Sequence, residues 1–234
     1  LRLYERGQPR PVGSWDTDDF LKGEADHPEA DIEGAARQGD RIYWITSHGR
    51  NRSGKMRPSR YRFFATDIVK GQGGWSLRPV GKPCSTLLQA LLADGRYRSL
   101  HLEEATRLGH DLPKKERKRL APKEQGLNIE GLAVDGRSGT LRIALRNPLV
   151  ETPKGARALV IPLLNGRDVV EKAAPPRFGD PALLDLRGRG VRSIEYHTDN
   201  KIFYVVGGSS GREDVPFTRF SWSGEGEEPT RLLR

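Results

Sequence analysis

Polar and apolar residues alternate along most of this chain in short runs, each cut off by Gly, Pro, Asn or Asp. Alternation sends successive side chains to opposite faces of a strand, so such runs read as half-buried β-strands. Turn residues at short intervals join them into antiparallel meanders rather than βαβ units. Three sets share one grammar. RIYWITS, RYRFFATDIV and WSLRPVG follow ADIEGAA; GLAVD, TLRIALR and RALVIPLLN follow GLNIE; SIEYHT, KIFYVVGG and FTRFSWSG follow Arg192. In each set a Glu-bearing first strand passes through a tight turn (QGD, DGRSG, TDN) into a strongly apolar second strand, then crosses a polar loop to a third. Meanders repeated in this way predict an all-β fold, a β-propeller that is incomplete or few-bladed, with about four blades or parts of them. The opening LRLYERGQPRPVGSWD reads as the outer strands of a blade whose inner strands are missing.

One stretch departs from the grammar. Within residues 84–125, Leu87, Leu88, Leu91 and Leu92 fall at helical spacing and the run KKERKR carries mixed charge. This predicts a helical insertion whose leucines cover the propeller and whose Lys/Arg side faces solvent. With it, residues 1–234 read as a single propeller-like domain, truncated at its N-terminus.

Composition sharpens this picture in a few places. The 27 Gly and 16 Pro supply the turns, and 35% hydrophobic residues suit thin sheets better than a thick core. A single cysteine, Cys84, excludes an intrachain disulfide and any Cys-based zinc site. No run reaches the roughly 18 apolar residues of a membrane span, and no targeting signal stands in this chain, so the compartment is unknown, cytoplasm and periplasm both being open. The histidines show no metal-ligand spacing. GGSSG, Gly207 to Gly211, fits G-x-S-x-G, but a loop and a strand follow it where a nucleophile elbow needs a helix.

Charge adds a direction. Lys+Arg 40 against Asp+Glu 31 gives +9, which favours an anionic partner. The basic stretch Arg50 to Arg62 lies in a Gly/Ser/Pro-containing loop suited to phosphate groups. Aromatics are not interleaved with it as base-stacking platforms would be, so the expected partner is a small anion rather than nucleic acid.

The residues ADIEGAA, IYWITSHGRNRSGKMRPSRYRFFA, GLNIEGLAV, LRIALRNPL, ALVIPLLN and LLDLRGRGVRSIEY also carry a resemblance. Together they resemble the bacterial family known as domain of unknown function 3616, which is similar to the phytase-like esterase propellers. The resemblance implies a propeller in which a Glu-Gly turn opens each blade, and it brings in hydrolase chemistry on a phosphoester or carboxylic ester as an expectation.

The first strand of a propeller blade lines the central channel, so Glu33, Glu130 and Glu195 are expected to converge at one channel mouth. Grouped carboxylates need a counter-charge. One arrangement holds a divalent cation such as calcium on Glu33 and Glu130, or an anionic substrate, with Arg146, Asn147, Arg192, Ser47, His48 and Arg50 around it. The other pairs each Glu with an Arg and uses it to tie neighbouring blades together. In the first the protein is a hydrolase; in the second it is a non-catalytic binding or scaffold propeller that recognises an anionic ligand or a protein.

Overall fold

The structure is a computed structural model that describes residues 1–22, 26–27, 29–72 and 74–232. It is all-β in class, built from antiparallel sheets with a few short helices. The first strands, β1 (Arg2–Tyr4) and β2 (Pro11–Ser14), form a two-stranded sheet of their own. A single helical turn, α1 (Asp18–Leu21), follows and sets Phe20 edge-on to Phe64 at 6.1 Å.

The remaining strands build three sheets in chain order. The first is β3 (Ile32–Gln38), β4 (Arg41–Thr46), β5 (Phe63–Gly71) and β6 (Gly74–Cys84), each hydrogen-bonded to the next. Between β6 and β7 lie α2 (Leu87–Ala93), α3 (Leu102–Thr106) and α4 (Lys114–Arg119). The second sheet comprises β7 (Asn128–Val134), β8 (Leu141–Asn147), the short β9 (Val150–Thr152), β10 (Gly155–Leu163) and, after helix α5 (Gly166–Lys172), the outer strand β11 (Ala182–Leu184). The third runs β12 (Gly190–His197), β13 (Ile202–Gly208), β14 (Thr218–Trp222), β15 (Thr230–Arg231). No helix of the described residues is long and apolar enough to cross a membrane.

The first strands of the three sheets lie side by side, β3 against β7 and β7 against β12. Two hydrophobic cores follow from this order, one on each face of the second sheet. Leu141, Ile143 and Leu145 of β8, with Leu159, Ile161 and Leu163 of β10, join Tyr43, Ile45 and Phe63 of the first sheet. The leucines Leu87, Leu88 and Leu91 of α2 close the edge of that core, whereas no residue of α4 is fully buried. The alternate positions Ala144, Ala158 and Val160 face the other way, onto Phe203, Phe220 and Trp222 of the third sheet. Burial on both faces is why TLRIALR and RALVIPLLN read as nearly continuous apolar runs. Small residues opposite large aromatics let the two sheets approach closely.

The Glu-Gly pairs have their explanation in this stacking. A Cβ on Gly34 would lie 2.9 Å from the backbone nitrogen of Leu132 in β7, and one on Gly131 would lie 2.8 Å from Ile194 in β12. Each glycine is where one first strand presses on the next, and only the absence of a side chain permits that distance.

Candidate functional site

The glutamates owe their position to β-bulges. On β3, Ile32 pairs with Thr46 and Gly34 with Ile45, so Glu33 is the extra residue. On β7, Ile129 pairs with Leu145 and Gly131 with Ala144, so Glu130 is the extra one. A bulge takes its residue out of the strand's alternation and re-aims the side chain. On β12 the same register step falls between Val191 and Ser193. The third position is therefore held by Arg192, and the backbone counterpart of Ile-Glu-Gly is Val-Arg-Ser. Glu195 lies three residues further along β12, exposed and outside the cavity that the other two share.

That cavity, about 890 Å3, opens where the three first strands begin. Glu130 forms its floor, its side chain only 10% exposed. Its Oε1 accepts from Asn128 Nδ2 at 2.8 Å and from Arg146 Nη1 at 2.9 Å, and its Oε2 accepts from Arg192 Nε. Glu130 thus joins β7 to β8 and to β12 through two guanidinium groups. Asp31 makes a third ion pair, with Arg60. Arg52, Lys123 and Arg212 complete a lining of six cationic side chains against the four carboxylates of Glu29, Asp31, Glu33 and Glu130. Arg212 is held at the rim by Glu124 at 2.5 Å.

Glu33, like Glu29 and unlike Asp31 and Glu130, has no ion-pair partner among the described residues. Partial burial first, then the negative charges of Asp31 and Glu130, push its carboxyl up to about 7, against the pull of Arg60 and Arg192. The residue is also solvent-exposed, and water screens part of these effects. Near neutral pH Glu33 can act as a hydrogen-bond donor or as a proton acceptor, while Glu130 is committed to its arginines.

The remaining residues singled out by sequence lie elsewhere. Ser47 is fully buried; its N–H donates to the Asp31 carbonyl and its carbonyl accepts from Ile129 N–H, stitching the first sheet to β7. His48 is buried against Tyr61, with Nδ1 2.9 Å from the Thr46 carbonyl, and burial pulls its imidazole down to about 4. Asn147 donates to the carbonyls of Pro122 and Ser210, and Arg146 to those of Ser209 and Gly211. The Arg-Asn pair of RNPL therefore holds the GSSG loop in place. Arg50 buries its guanidinium in the helical segment, donating to the carbonyls of Gly54, Thr106, Arg107 and His110.

Of the expected constellation, then, the fold brings together Glu33, Glu130, Arg146 and Arg192, and places Glu195, Ser47, His48, Asn147 and Arg50 outside the cavity lining. Asp31, Arg52, Arg60, Lys123 and Arg212 join it from loops whose convergence no local pattern encodes. The one available signal was Ser193, a small residue at the glycine position, which marks Val-Arg-Ser as the third repeat.

The residues do not fit a divalent cation held between Glu33 and Glu130. Both oxygens of Glu130 are engaged by guanidinium donors that would repel a metal, and calcium requires six to eight oxygen ligands. Among the described residues no group of three or more His, Cys, Asp or Glu side chains could hold a metal ion.

Three stacked antiparallel sheets with an arginine-lined cavity at their first strands define the class of protein. The chain belongs to the family described as Protein of unknown function (DUF3616), which matches residues 93–233. The match covers the second and third sheets with Glu130, Arg146, Arg192 and Arg212; Glu33, Asp31, Arg52 and Arg60 lie before it. No curated protein matches the chain.

Proposed function

We propose that the three sheets are blades of a β-propeller arc and that the cavity at its mouth binds a small anionic ligand, a carboxylate or phosphoester. The observation that carries this reading is the state of Arg192. Its Nε is engaged by Glu130, while its two Nη groups make no hydrogen bond within the described residues and the side chain is 27% exposed at the cavity. A guanidinium held by one edge and open at the other is prepared for a bidentate anion. Glu130 serves as a strut that orients Arg192 and Arg146, and protonated Glu33 donates to the ligand.

A thermal-shift panel of small dianions (phosphate, glycerol phosphate, succinate, citrate) tests this reading. A bound dianion at a hundredfold excess over its Kd stabilises by about 2.7 kcal/mol, raising Tm by about 5–10 °C for a chain of this size. Arg192→Gln cuts that rise to about half or less, relative to its own unliganded Tm. A panel in which no anion stabilises the wild type more than chloride does overturns it.

A second reading, ester or phosphoester hydrolysis, draws on the resemblance to phytase-like esterases and on Glu33, whose pKa near 7 suits a general acid or base. Here Glu33 would move the proton while the arginines neutralise the developing charge. Glu33→Gln separates the two readings: it abolishes turnover of nitrophenyl esters or phosphates under the second and leaves ligand binding in place under both.

A further inference from the structure

We infer a second anion site, for a phosphate group, on the far side of the basic loop from the propeller mouth. Two basic runs that lie far apart in the sequence meet there. Arg50 is 4% exposed and donates to four backbone carbonyls of its own loop and the α3 region. This anchor fixes the loop against the helices. Gly54, at φ +76°, presses on α4 so closely that a Cβ would lie 1.9 Å from the Arg117 carbonyl, and α4 is thereby held beside Arg50.

The junction forms an open cleft of about 400 Å3 lined by Arg50, Lys55, Arg57, His110, Asp111 and Arg117. Its electrostatics differ from those of the mouth. There each buried arginine meets a carboxylate; here none of Arg50, Lys55, Arg57 and Arg117 makes an ion pair within the described residues. Among the described residues Asp111 is the only carboxylate in the lining. Four permanent cations against one carboxylate leave a surplus that the Arg50 carbonyl partners solvate without neutralising. Arg117 Nε is buried with no hydrogen-bond partner, a donor whose desolvation is uncompensated in the free protein. Burial and the neighbouring Arg117 both lower the pKa of Arg50, so an anion here would relieve an existing cost.

A phosphate group matches the requirement. It carries a charge of about −1.5 to −2 and three acceptor oxygens, enough to engage the guanidinium groups of Arg117 and Arg57 together with Lys55. The cavity has room for a small organic group beyond it. A carboxylate offers half the charge and fewer oxygens to the same donors.

The test is 1H–15N NMR of the whole chain titrated with inorganic phosphate, with chloride at matched ionic strength as control. Saturable shifts of the Gly54 and Gly109 amides, weakened at least tenfold in Lys55→Ala/Arg117→Gln, are expected. The Gly34 and Gly131 amides, which report on the mouth, respond equally in wild type and variant. Should the double variant fail to fold, Lys55→Ala alone alters only an exposed side chain and weakens the response at least threefold. Shifts at Gly54 and Gly109 that never saturate, or an affinity unchanged in the variants, overturn the site. Glycerol phosphate in solution and phosphatidic acid in phosphatidylcholine vesicles then present the same group in two settings; binding of the first alone assigns a soluble ligand, of the second alone a lipid headgroup, and of neither overturns the proposal.

Discussion

Replacing Glu130 by Gln removes one negative charge and leaves every atom count nearly unchanged. In the wild type that charge faces Arg146, 6% exposed, and Arg192, 27% exposed, with Asn128 as a third donor. The amide keeps one acceptor oxygen but sets an N–H2 group against a guanidinium. Breaking one partner out of a buried charge pair costs about 3–5 kcal/mol. Arg192 can turn to solvent and the amide oxygen keeps one bond, so about 3 kcal/mol is the expected loss. At about 2–4 °C per kcal/mol for a chain of this size, Tm falls by about 6–12 °C. Differential scanning fluorimetry reads the shift, and urea denaturation at constant m-value checks that the folded state is otherwise intact. The reasoning is refuted if Glu130→Gln melts within about 1 °C of the wild type, since a strut between three strands cannot be removed without cost. Glu195→Gln is the control: exposed and outside the network, it leaves Tm unchanged.

Gly131→Ala puts a methyl 2.8 Å from Ile194 and 3.2 Å from Ala144 and should destabilise by about 1–3 kcal/mol in urea titrations, whereas Gly39→Ala, with nothing within 4 Å but φ +61°, suffers only a backbone penalty. Burial holds the folded pKa of His48 near 4, below the ordinary 6.5, so the unfolded chain takes up the proton first as pH falls; stability is unaffected above about 6.5 and drops by about 3 kcal/mol by pH 4, a loss that chemical denaturation should show in the wild type and not in His48→Phe. Glu33 has a raised pKa, so it is protonated below about 7 and charged above it; anion affinity measured by calorimetry should weaken as pH rises through 7, and Glu33→Gln should flatten that profile.

The strands of this fold were legible because burial on one or both faces imposes period-2 or continuous apolar runs, as RIYWITS and RALVIPLLN show. The shortest outer strands were not: β11 and β15 are three and two residues long and carry no periodicity to read. Helix α5 was hidden as well, because GRDVVEK buries only Val169, Val170 and Gly166 against its neighbours and reads locally as a polar loop. The opening residues, expected as the outer strands of a blade whose inner strands are missing, form a two-stranded sheet of their own.

The site was half legible for a related reason. Glu33 and Glu130 share a local motif because bulge and glycine are both needed where one first strand presses on the next. That need is structural, so the matching element in β12 is Val-Arg-Ser, and a match on the letters Ile-Glu selected Glu195 in place of Arg192. Arg50, Ser47 and His48 lie in a polar stretch that looks like an exposed loop; Arg50 and Ser47 are held by Thr106, His110 and Ile129, far along the chain, and His48 packs on Tyr61, contacts that no local pattern encodes.

Arg192 is the residue on which anion binding at the mouth depends. Isothermal titration of succinate into wild type and Arg192→Gln at pH 6, where Glu33 is largely protonated, measures this directly. Losing a charge-assisted hydrogen bond worth about 1.5–3 kcal/mol predicts a single saturable site in the wild type, weakened roughly tenfold to a hundredfold in the variant. Equal affinity in the two proteins, or no saturable heat in either, would contradict it.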